Sequence, residues 1–324
     1  MQDVEYYKQK VIDGYKIDKI DALNLLKLPL NDLTNSANDI RQHFCGNNFD
    51  ACTIINVKNG KCSEDCKFCA QSVYNNTDIS SFPLLTKQQL KSKTLDIYKT
   101  GFKRISFVSS GRKINDDELK SIGETIKELK DEHKDIKICV SLGLLSKKQI
   151  ELLEVSGIDR LHNNLETSEE YFKQICTTHT YEDKLNCLNL VNNDNLKICS
   201  GGIFGVGESF EDRINLALKL RELNVKSIPI NILNPIKGTP LEDFTILSNE
   251  ELCKIVAIFR FINPSSYIRL AGGRLLLEDY GRKAFKSGAN AAIMGDMLTT
   301  KGVQYNQDIK MIKELGYQIS YDIN

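Results

Sequence analysis

The sequence lacks a net charge, a long apolar run and any low-complexity tract, and each absence removes a class of function. In a chain of 324 residues, 43 Lys and Arg balance 43 Asp and Glu, so no global field draws it to a phosphate backbone or an anionic bilayer. The isoelectric point near 6.9 says the same, and no nucleic-acid partner is expected. No stretch approaches the ~20 apolar residues of a membrane span. The opening MQDVEYYKQKVIDGYKIDK has no apolar core such as a signal peptide needs. The expectation is a soluble cytoplasmic protein with no membrane partner. Ten cysteines are present, and in a reducing compartment clustered cysteines mean metal or catalysis more often than disulfides.

Residues 1–50 read as a helical extension. Ile20, Ala22, Leu23, Leu25 and Leu26 bunch before Pro29, and a further helix runs from Leu33 to about Phe44 with Asn31 or Asp32 as its cap. From Cys52 onward short β-rich runs alternate with helical periods, the pattern of a parallel sheet built from βα units. Eight strands are predicted: Thr53–Val57, Arg104–Ser109, Ile136–Leu142, Arg160–Asn164, Leu196–Gly202, Ser227–Leu233, Tyr267–Ala271 and Ala291–Met294. Helices are predicted over Thr86–Lys99, Asp116–Glu132, Lys147–Glu154, Tyr181–Val191, Phe210–Leu223, Asn249–Phe261 and Leu276–Ser287, with a short one over Asp308–Leu315. The fold class is therefore α/β, a TIM-type (β/α)8 barrel, closed or partly open, over 51–300. An N-terminal helical extension (1–50) precedes it and a C-terminal tail helix (301–324) follows. Alternation then sorts the side chains. Ile105, Phe107, Ile138, Val140, Leu161, Ile198, Ile228, Ile230, Ile232, Ile268 and Leu270 face the helices. Ser106, Cys139, His162, Asn164, Cys199, Asn231 and Arg269 face the lumen. Barrel interiors are ordinarily filled by branched aliphatics, so a polar lumen predicts a ligand.

The strongest local signal is Gly60-Lys-Cys62-Ser-Glu-Asp-Cys66-Lys-Phe-Cys69-Ala-Gln-Ser, directly after the first strand. Three thiolates so spaced can hold three irons of a cubane and leave the fourth iron open for chemistry. A buried stripe of small residues is a poor alternative, because Lys61, Ser63, Glu64, Asp65 and Lys67 surround the cysteines with charge. A structural zinc site wants a fourth ligand, and no paired CxxC or HxxxH lies nearby.

CxxxCxxC with Phe68 before its last cysteine resembles the radical S-adenosylmethionine superfamily. The match narrows through Cys139-Val-Ser-Leu-Gly, His162-Asn-Asn-Leu-Glu-Thr-Ser168, Cys199-Ser-Gly-Gly-Ile-Phe-Gly-Val-Gly-Glu208, Ile228-Pro-Ile-Asn231, Lys237-Gly-Thr-Pro240 and Tyr267-Ile-Arg269-Leu-Ala-Gly-Gly-Arg274. In that order, over about residues 35 to 300, they are similar to the biotin synthase family. The resemblance implies that Cys62, Cys66 and Cys69 hold a 4Fe-4S cluster whose open iron binds S-adenosylmethionine. It implies that Gly201, Gly202, Ile203 and Gly205 bring backbone to the adenosine part, that Asn164 and Glu166 bind its ribose or the substrate, and that Asn231 lies near the substrate's ureido ring. The glycines equally fit a tight turn, and an inward Asn equally fits a satisfied core amide.

The family also carries a sulfur-donating auxiliary cluster, usually 2Fe-2S, held by three inward cysteines and an arginine. Cys139, Cys199 and Arg269 match three of those positions, whereas Ser106 stands where the third cysteine is usual, a harder and weaker partner for iron. Two readings stand open. Cys45 and Cys52 complete the thiolate set and the cluster is larger, or Ser106 is an oxygen ligand or a vacancy and both cysteines are spectators. Cys176, Cys187 and Cys253 read as small core residues. Other departures are His179 and Lys184 at basic family positions and Leu275 at a commonly acidic one.

The implied activity is radical insertion of sulfur between C6 and C9 of dethiobiotin, consuming two S-adenosylmethionine molecules and drawing electrons from a donor such as flavodoxin or ferredoxin, in a homodimer. Competing readings are another radical enzyme of similar barrel, such as a hydrogenase-cluster maturase or a methylornithine-type enzyme, and a non-catalytic iron-sulfur carrier.

Overall fold

The structure is a computed structural model that describes residues 3–191 and 196–321. The outermost ends of the predicted extension (1–2) and tail (322–324) lie outside the described residues. Three helices lead the chain, α1 (Val4–Ile12), α2 (Lys19–Leu25) and α3 (Leu30–Cys45). Strands and helices then alternate. They are β1 (Asn48–Lys58), α4 (Lys87–Lys99), β2 (Arg104–Ser109), α5 (Asp116–Glu132), β3 (Lys137–Ser141), α6 (Lys147–Val155) and β4 (Arg160–His162). After β4 come α7 (Glu169–Ile175), α8 (Tyr181–Asn189), β5 (Lys197–Cys199), β6 (Gly202–Phe204), α9 (Phe210–Glu222), β7 (Ser227–Ile232), α10 (Asn249–Ile262) and β8 (Tyr267–Leu270). The chain finishes with α11 (Arg282–Lys286), β9 (Ala291–Ile293), α12 (Tyr305–Glu314) and β10 (Gln318–Ile319).

All of these strands pair in parallel in the order β1-β2-β3-β4-β5-β7-β8-β9, and β9 pairs back onto β1, which closes the barrel. β5 and β6 are two halves of one barrel strand, because Cys199 opposes Ser227 and Gly202 opposes Ile230 without a change of register. The break falls at Ser200-Gly201, where a Cβ on Gly201 would overlap the Pro229 carbonyl and one on Gly202 the Glu166 carbonyl. Backbones there run too close for any side chain. The eight-stranded barrel expected from the sequence is thus present.

Alternation sorted the strand residues correctly. Ile105, Phe107, Ile138, Val140 and Leu161 pack under α5 and α6 in one apolar cluster, and Ile228, Ile230, Ile232, Ile268 and Leu270 join another under α9 and α10. The second cluster also takes in Tyr7, Val11, Ala22, Leu25, Leu33 and Ile40. The leading helices therefore share the barrel's core, with α3 packed on α10 and α2 on α9.

Several boundaries differ from expectation. The third helix starts at Leu30 with Pro29 at its cap position and no side-chain cap, while Asn31 and Asp32 sit in its first turn. Leu276–Ser287 is not one helix, because Gly281 in the left-handed region separates a single 3-10 turn at Arg274–Leu276 from α11. α1, α7 and β10 were not anticipated as separate elements. Seven residues in α7 and two in β10 are too few to display a period.

Candidate active site

The lumen opens at the carboxyl ends of the strands into a cavity of about 380 Å³. Its wall includes Ser106, Cys139, His162, Asn164, Cys199, Asn231 and Arg269, the whole inward set read from alternation. Cys69 and Phe68 line its mouth and Cys52 its depth.

The mouth is built by the loop after β1. Gly60 and Lys61 both take positive φ and turn the chain, and Cys62 then pairs with the segment that follows the motif. Its amide donates to the Gln71 carbonyl at 2.9 Å and its carbonyl accepts from Val73 N at 2.9 Å. Asn75 Nδ2 donates to the carbonyls of Cys66 (3.3 Å) and Cys69 (2.8 Å). The loop is thereby folded back on itself, and the Cys69 thiol lies within electrostatic reach of both Cys62 and Cys66. Burial pushes the Cys69 thiol up to about 11, so without a metal it stands as a neutral thiol at pH 7.

Beside this loop the β4 and β5 ends form a backbone cradle. Asn164 Oδ1 accepts from Gly201 N at 3.1 Å. Glu166, at φ 70, bridges to Gly202 and has Lys184 Nζ at 4.0 Å. A non-glycine residue held in that region on a cavity wall is a hallmark of a functional site. Glu208 accepts from Gly205 N (2.9 Å) and Val206 N (2.8 Å) and is itself held by Arg213 Nε at 2.7 Å, which fixes the glycine loop. Asn231 donates to the Gly202 carbonyl at 3.0 Å and accepts from Gly272 N at 3.0 Å. Its carboxamide therefore staples β6 to the turn after β8 while one N–H remains for a ligand.

The floor holds a charge cluster that sequence reasoning missed. Asp50 is fully buried and receives Arg104 Nε (2.8 Å), Arg160 Nη1 (2.7 Å) and Arg269 Nη2. Burial alone would raise its carboxyl, but Arg160, Arg269 and Arg104 outweigh that and hold it well below the ordinary carboxylate range. Arg104 and Arg160 fall on the same inward alternation as Ser106 and His162, a signal that could have found them. Arg269 also donates to the carbonyls of Asp50 and Ala292, both at 3.0 Å, and to Ser227 Oγ at 3.3 Å.

Above this floor the thiols of Cys52 and Cys139 face each other. The contact with Cys52, and then Arg104 and Arg160, lower the Cys139 thiol despite its burial. Cys199 is raised by burial and rests 3.3 Å from Ser227 Oγ. Ser106 sits directly opposite Cys139 in register. Cys45 is not part of this group. It ends α3 outside the cavity lining, with its thiol toward the Pro264 carbonyl (3.9 Å) and Arg260 Nη1 (3.5 Å), because β1 carries the chain away from it before the lumen begins.

Three guanidinium groups against one carboxylate leave the floor with a surplus of two positive charges, and among the described residues Arg160 Nη2 is buried without a hydrogen-bond partner. An orphaned guanidinium nitrogen within electrostatic reach of the Cys139 and Cys199 thiols fits an anionic metal–sulfur group. Cys187 and Cys253 are core residues as expected. Cys176 is buried too, but its thiol faces polar groups: Asp65 Oδ1 (3.2 Å), His179 Nδ1 (3.2 Å) and Cys66 Sγ (3.7 Å). As the C-cap of α7 it also packs into the apolar cluster under α9 and α10, so it is a core residue as expected, with a thiol that reaches these polar groups besides.

Comparison with known proteins shows the family to which the chain belongs. Residues 57–220 match the Radical SAM superfamily model, and residues 229–318 the Biotin and Thiamin Synthesis associated domain. A protein named biotin synthase from Clostridium botulinum (strain Loch Maree / Type A3) is 50% identical over 319 residues, covering 98% of this chain and 100% of the relative. One from Brachyspira hyodysenteriae is 48% identical, covering 96% and 93%. Among solved structures, methylornithine synthase superimposes with a TM-score of 0.81 at 22% identity, covering 97% of each chain. A FeFe-hydrogenase maturase from Carboxydothermus hydrogenoformans gives 0.81 at 18%, covering 98% and 79%, and at such identities the likeness is one of fold. No helix of the described residues is long and apolar enough to cross a membrane.

Proposed function

The chain belongs to the biotin synthase family within the radical S-adenosylmethionine superfamily, and from that premise we propose how its residues share the work of inserting sulfur between C6 and C9 of dethiobiotin. The observation that carries the assignment is one cavity with two separate sets of thiols, Cys69 at the mouth and Cys52, Cys139 and Cys199 above the floor. The barrels of the maturase and methylornithine synthase are alike in shape, so the choice rests on sequence identity and on the second thiol set.

Cys62, Cys66 and Cys69 hold the 4Fe-4S cluster. Bound there, the cluster would supply the one-electron reduction that opens S-adenosylmethionine to radical chemistry, and so give access to C–H bonds that no side chain of ordinary pKa can reach. Asn164, Glu166 and the backbone of Gly201, Gly202, Ile203 and Gly205 bind S-adenosylmethionine, and the free N–H of Asn231 faces the ureido carbonyl of dethiobiotin. Cys52, Cys139 and Cys199, with Arg269, hold the auxiliary cluster. Cys52 supplies the thiolate that Ser106 lacks, and Ser106 stands opposite Cys139 on the neighbouring strand. The surplus positive charge of Arg104, Arg160 and Arg269 over Asp50 neutralises the thiolates and sulfide gathered there. Enclosure by the barrel wall keeps water and hydrogen donors from the reacting carbon. Family likeness further supports a low-potential donor such as flavodoxin or ferredoxin, a homodimer and a cytoplasmic setting.

The test is an anaerobic assay of the reconstituted, reduced protein with S-adenosylmethionine and dethiobiotin, quantifying 5′-deoxyadenosine and biotin by mass spectrometry. The expected yield is about two deoxyadenosines per biotin. Deoxyadenosine without biotin would overturn the substrate or the sulfur source, and neither product would return the cysteines to a carrier role.

A further inference from the structure

The Cys176 side chain has no part in the reaction just described, yet its sulfur meets that of a cluster ligand. Cys66 Sγ and Cys176 Sγ are 3.7 Å apart, although the residues are 110 positions apart in sequence. Cys69, in the same motif as Cys66, acts on it only through charge and at longer range. A disulfide sets its sulfurs about 2.05 Å apart and forms only where the two backbones already run close. Here they are joined at the same place, because Lys67 N donates to the Ile175 carbonyl at 2.9 Å. The sulfurs need to close by about 1.7 Å, and the backbone junction that flanks them is already made.

Polar neighbours hold the Cys176 sulfur in place. Its S–H donates to Asp65 Oδ1 at 3.2 Å, and His179 Nδ1 lies 3.2 Å from it. Asp65 accepts from the amides of Thr177 (2.8 Å) and Thr178 (3.1 Å), which locks the turn carrying Cys176 against the cysteine loop. Glu64 Oε2 reaches across the same junction to His179 Nδ1 (2.6 Å) and Thr178 Oγ1 (2.9 Å). Cys66 is partly exposed, whereas Cys176 is buried. An oxidant arriving from solvent therefore meets Cys66 first, with a second thiol fixed directly behind it, the layout of a reactive cysteine beside its resolving partner.

We propose that Cys66 and Cys176 are an oxidative modification site, joined by a peroxide in a reversible disulfide when the mouth cluster is absent. Peroxide turns the Cys66 thiol into a sulfenic acid and leaves one water. The Cys176 sulfur then attacks the Cys66 sulfur, the S–O bond breaks, the hydroxyl leaves as a second water with the Cys176 proton, and the S–S bond forms. Two thiols lose two electrons, and one peroxide is reduced to two waters. Because Cys66 belongs to both sets, this disulfide and the three-cysteine cluster exclude each other. A small thiol reverses the bond by exchange, so Cys66 is kept from the sulfinic and sulfonic acids that no thiol reverses. The inference is independent of the sulfur-insertion reading, since it concerns the thiols of the cluster-free chain.

The test treats the full chain, freed of iron and sulfide, with a single equivalent of hydrogen peroxide. Proteolysis and mass spectrometry should find a peptide linked through Cys66 and Cys176. Thiol titration under denaturing conditions should fall by two of the chain's ten cysteines, and dithiothreitol should restore both. The initial rate at which cluster absorption returns on adding iron and sulfide should drop at least about tenfold in the oxidised parent, and prior reduction should bring it back to within about twofold of untreated protein. In Cys176→Ser the linked peptide should be absent, and dimedone, which tags sulfenic acids, should label Cys66 at least about tenfold more than in the parent. Circular dichroism checks that the cluster-free variant is folded. Cys66 linked instead to Cys62 or Cys69 would overturn the proposal. Cys176 still fully open to alkylation after oxidation and denaturation would overturn it as well.

Discussion

Replacing Asp50 by Asn tests whether the floor of the barrel is held by charge. The substitution keeps the shape of the side chain and removes its charge, leaving Arg104, Arg160 and Arg269 buried against one another. Breaking a buried ion pair by removing one partner costs ~3–5 kcal/mol, because the remaining charge is uncompensated. Three guanidinium groups share this partner, so the upper part of that range applies to the cluster-free chain. With an m value of about 3 kcal/mol/M, the urea midpoint falls by roughly 1.3–1.7 M. The assay is urea unfolding of the cluster-free parent and variant near pH 7, followed by far-ultraviolet circular dichroism. The pH dependence has a definite sign. A carboxyl held below its ordinary 3.8 contributes stability that is complete above that value and is lost as pH falls through the lower folded-state value, so parent and variant converge in acid. The loaded protein should show a smaller difference, since the auxiliary cluster's negative charge takes over part of the carboxylate's role. A variant whose midpoint matches the parent's at pH 7 would refute the reasoning.

Other substitutions probe other parts of the account. Gly201→Ala forces a Cβ into the Pro229 carbonyl, which must move the β5–β6 break. We expect at least about 1–3 kcal/mol of destabilisation and weaker S-adenosylmethionine binding by isothermal titration, and parental affinity would contradict it. Cys52→Ala should lose auxiliary iron and sulfide by chemical analysis while Cys45→Ala keeps the parental content, and equal content in both would sink the ligand assignment. Burial lowers His162 to about 4, so the ring is neutral at pH 7 and stability falls as pH drops from about 6.5 towards 4. That window is worth about 2 kcal/mol, discounted because the ring faces the cavity, and His162→Gln should flatten it in pH-dependent urea midpoints.

Much of the barrel was legible because its strands alternate cleanly. Ile105 and Phe107 against Ser106, or Ile268 and Leu270 against Arg269, declare two faces with a period no helix shares. The cysteine motif was legible because its spacing is local. What escaped depended on contacts across the fold. Asp50 precedes the predicted start of its strand, and its meaning comes only from arginines on three other strands. Cys45 and Cys52 are seven residues apart in sequence, yet only Cys52 enters the lumen, because β1 begins at Asn48 and alternation starts there. Cys176 and His179 acquire their setting from Glu64 and Asp65, more than a hundred residues away. A run of small and polar residues carries no mark of that meeting.

The central claim is that the thiols above the floor hold the sulfur that enters the product. Its most direct test is a single anaerobic turnover of protein reconstituted with isotopically heavy sulfide, followed by mass spectrometry of the biotin formed. The account predicts biotin carrying the heavy isotope in the parent and no biotin from Cys139→Ala or Cys199→Ala, even where deoxyadenosine still forms. Biotin of natural mass from the heavy-sulfide protein would contradict it.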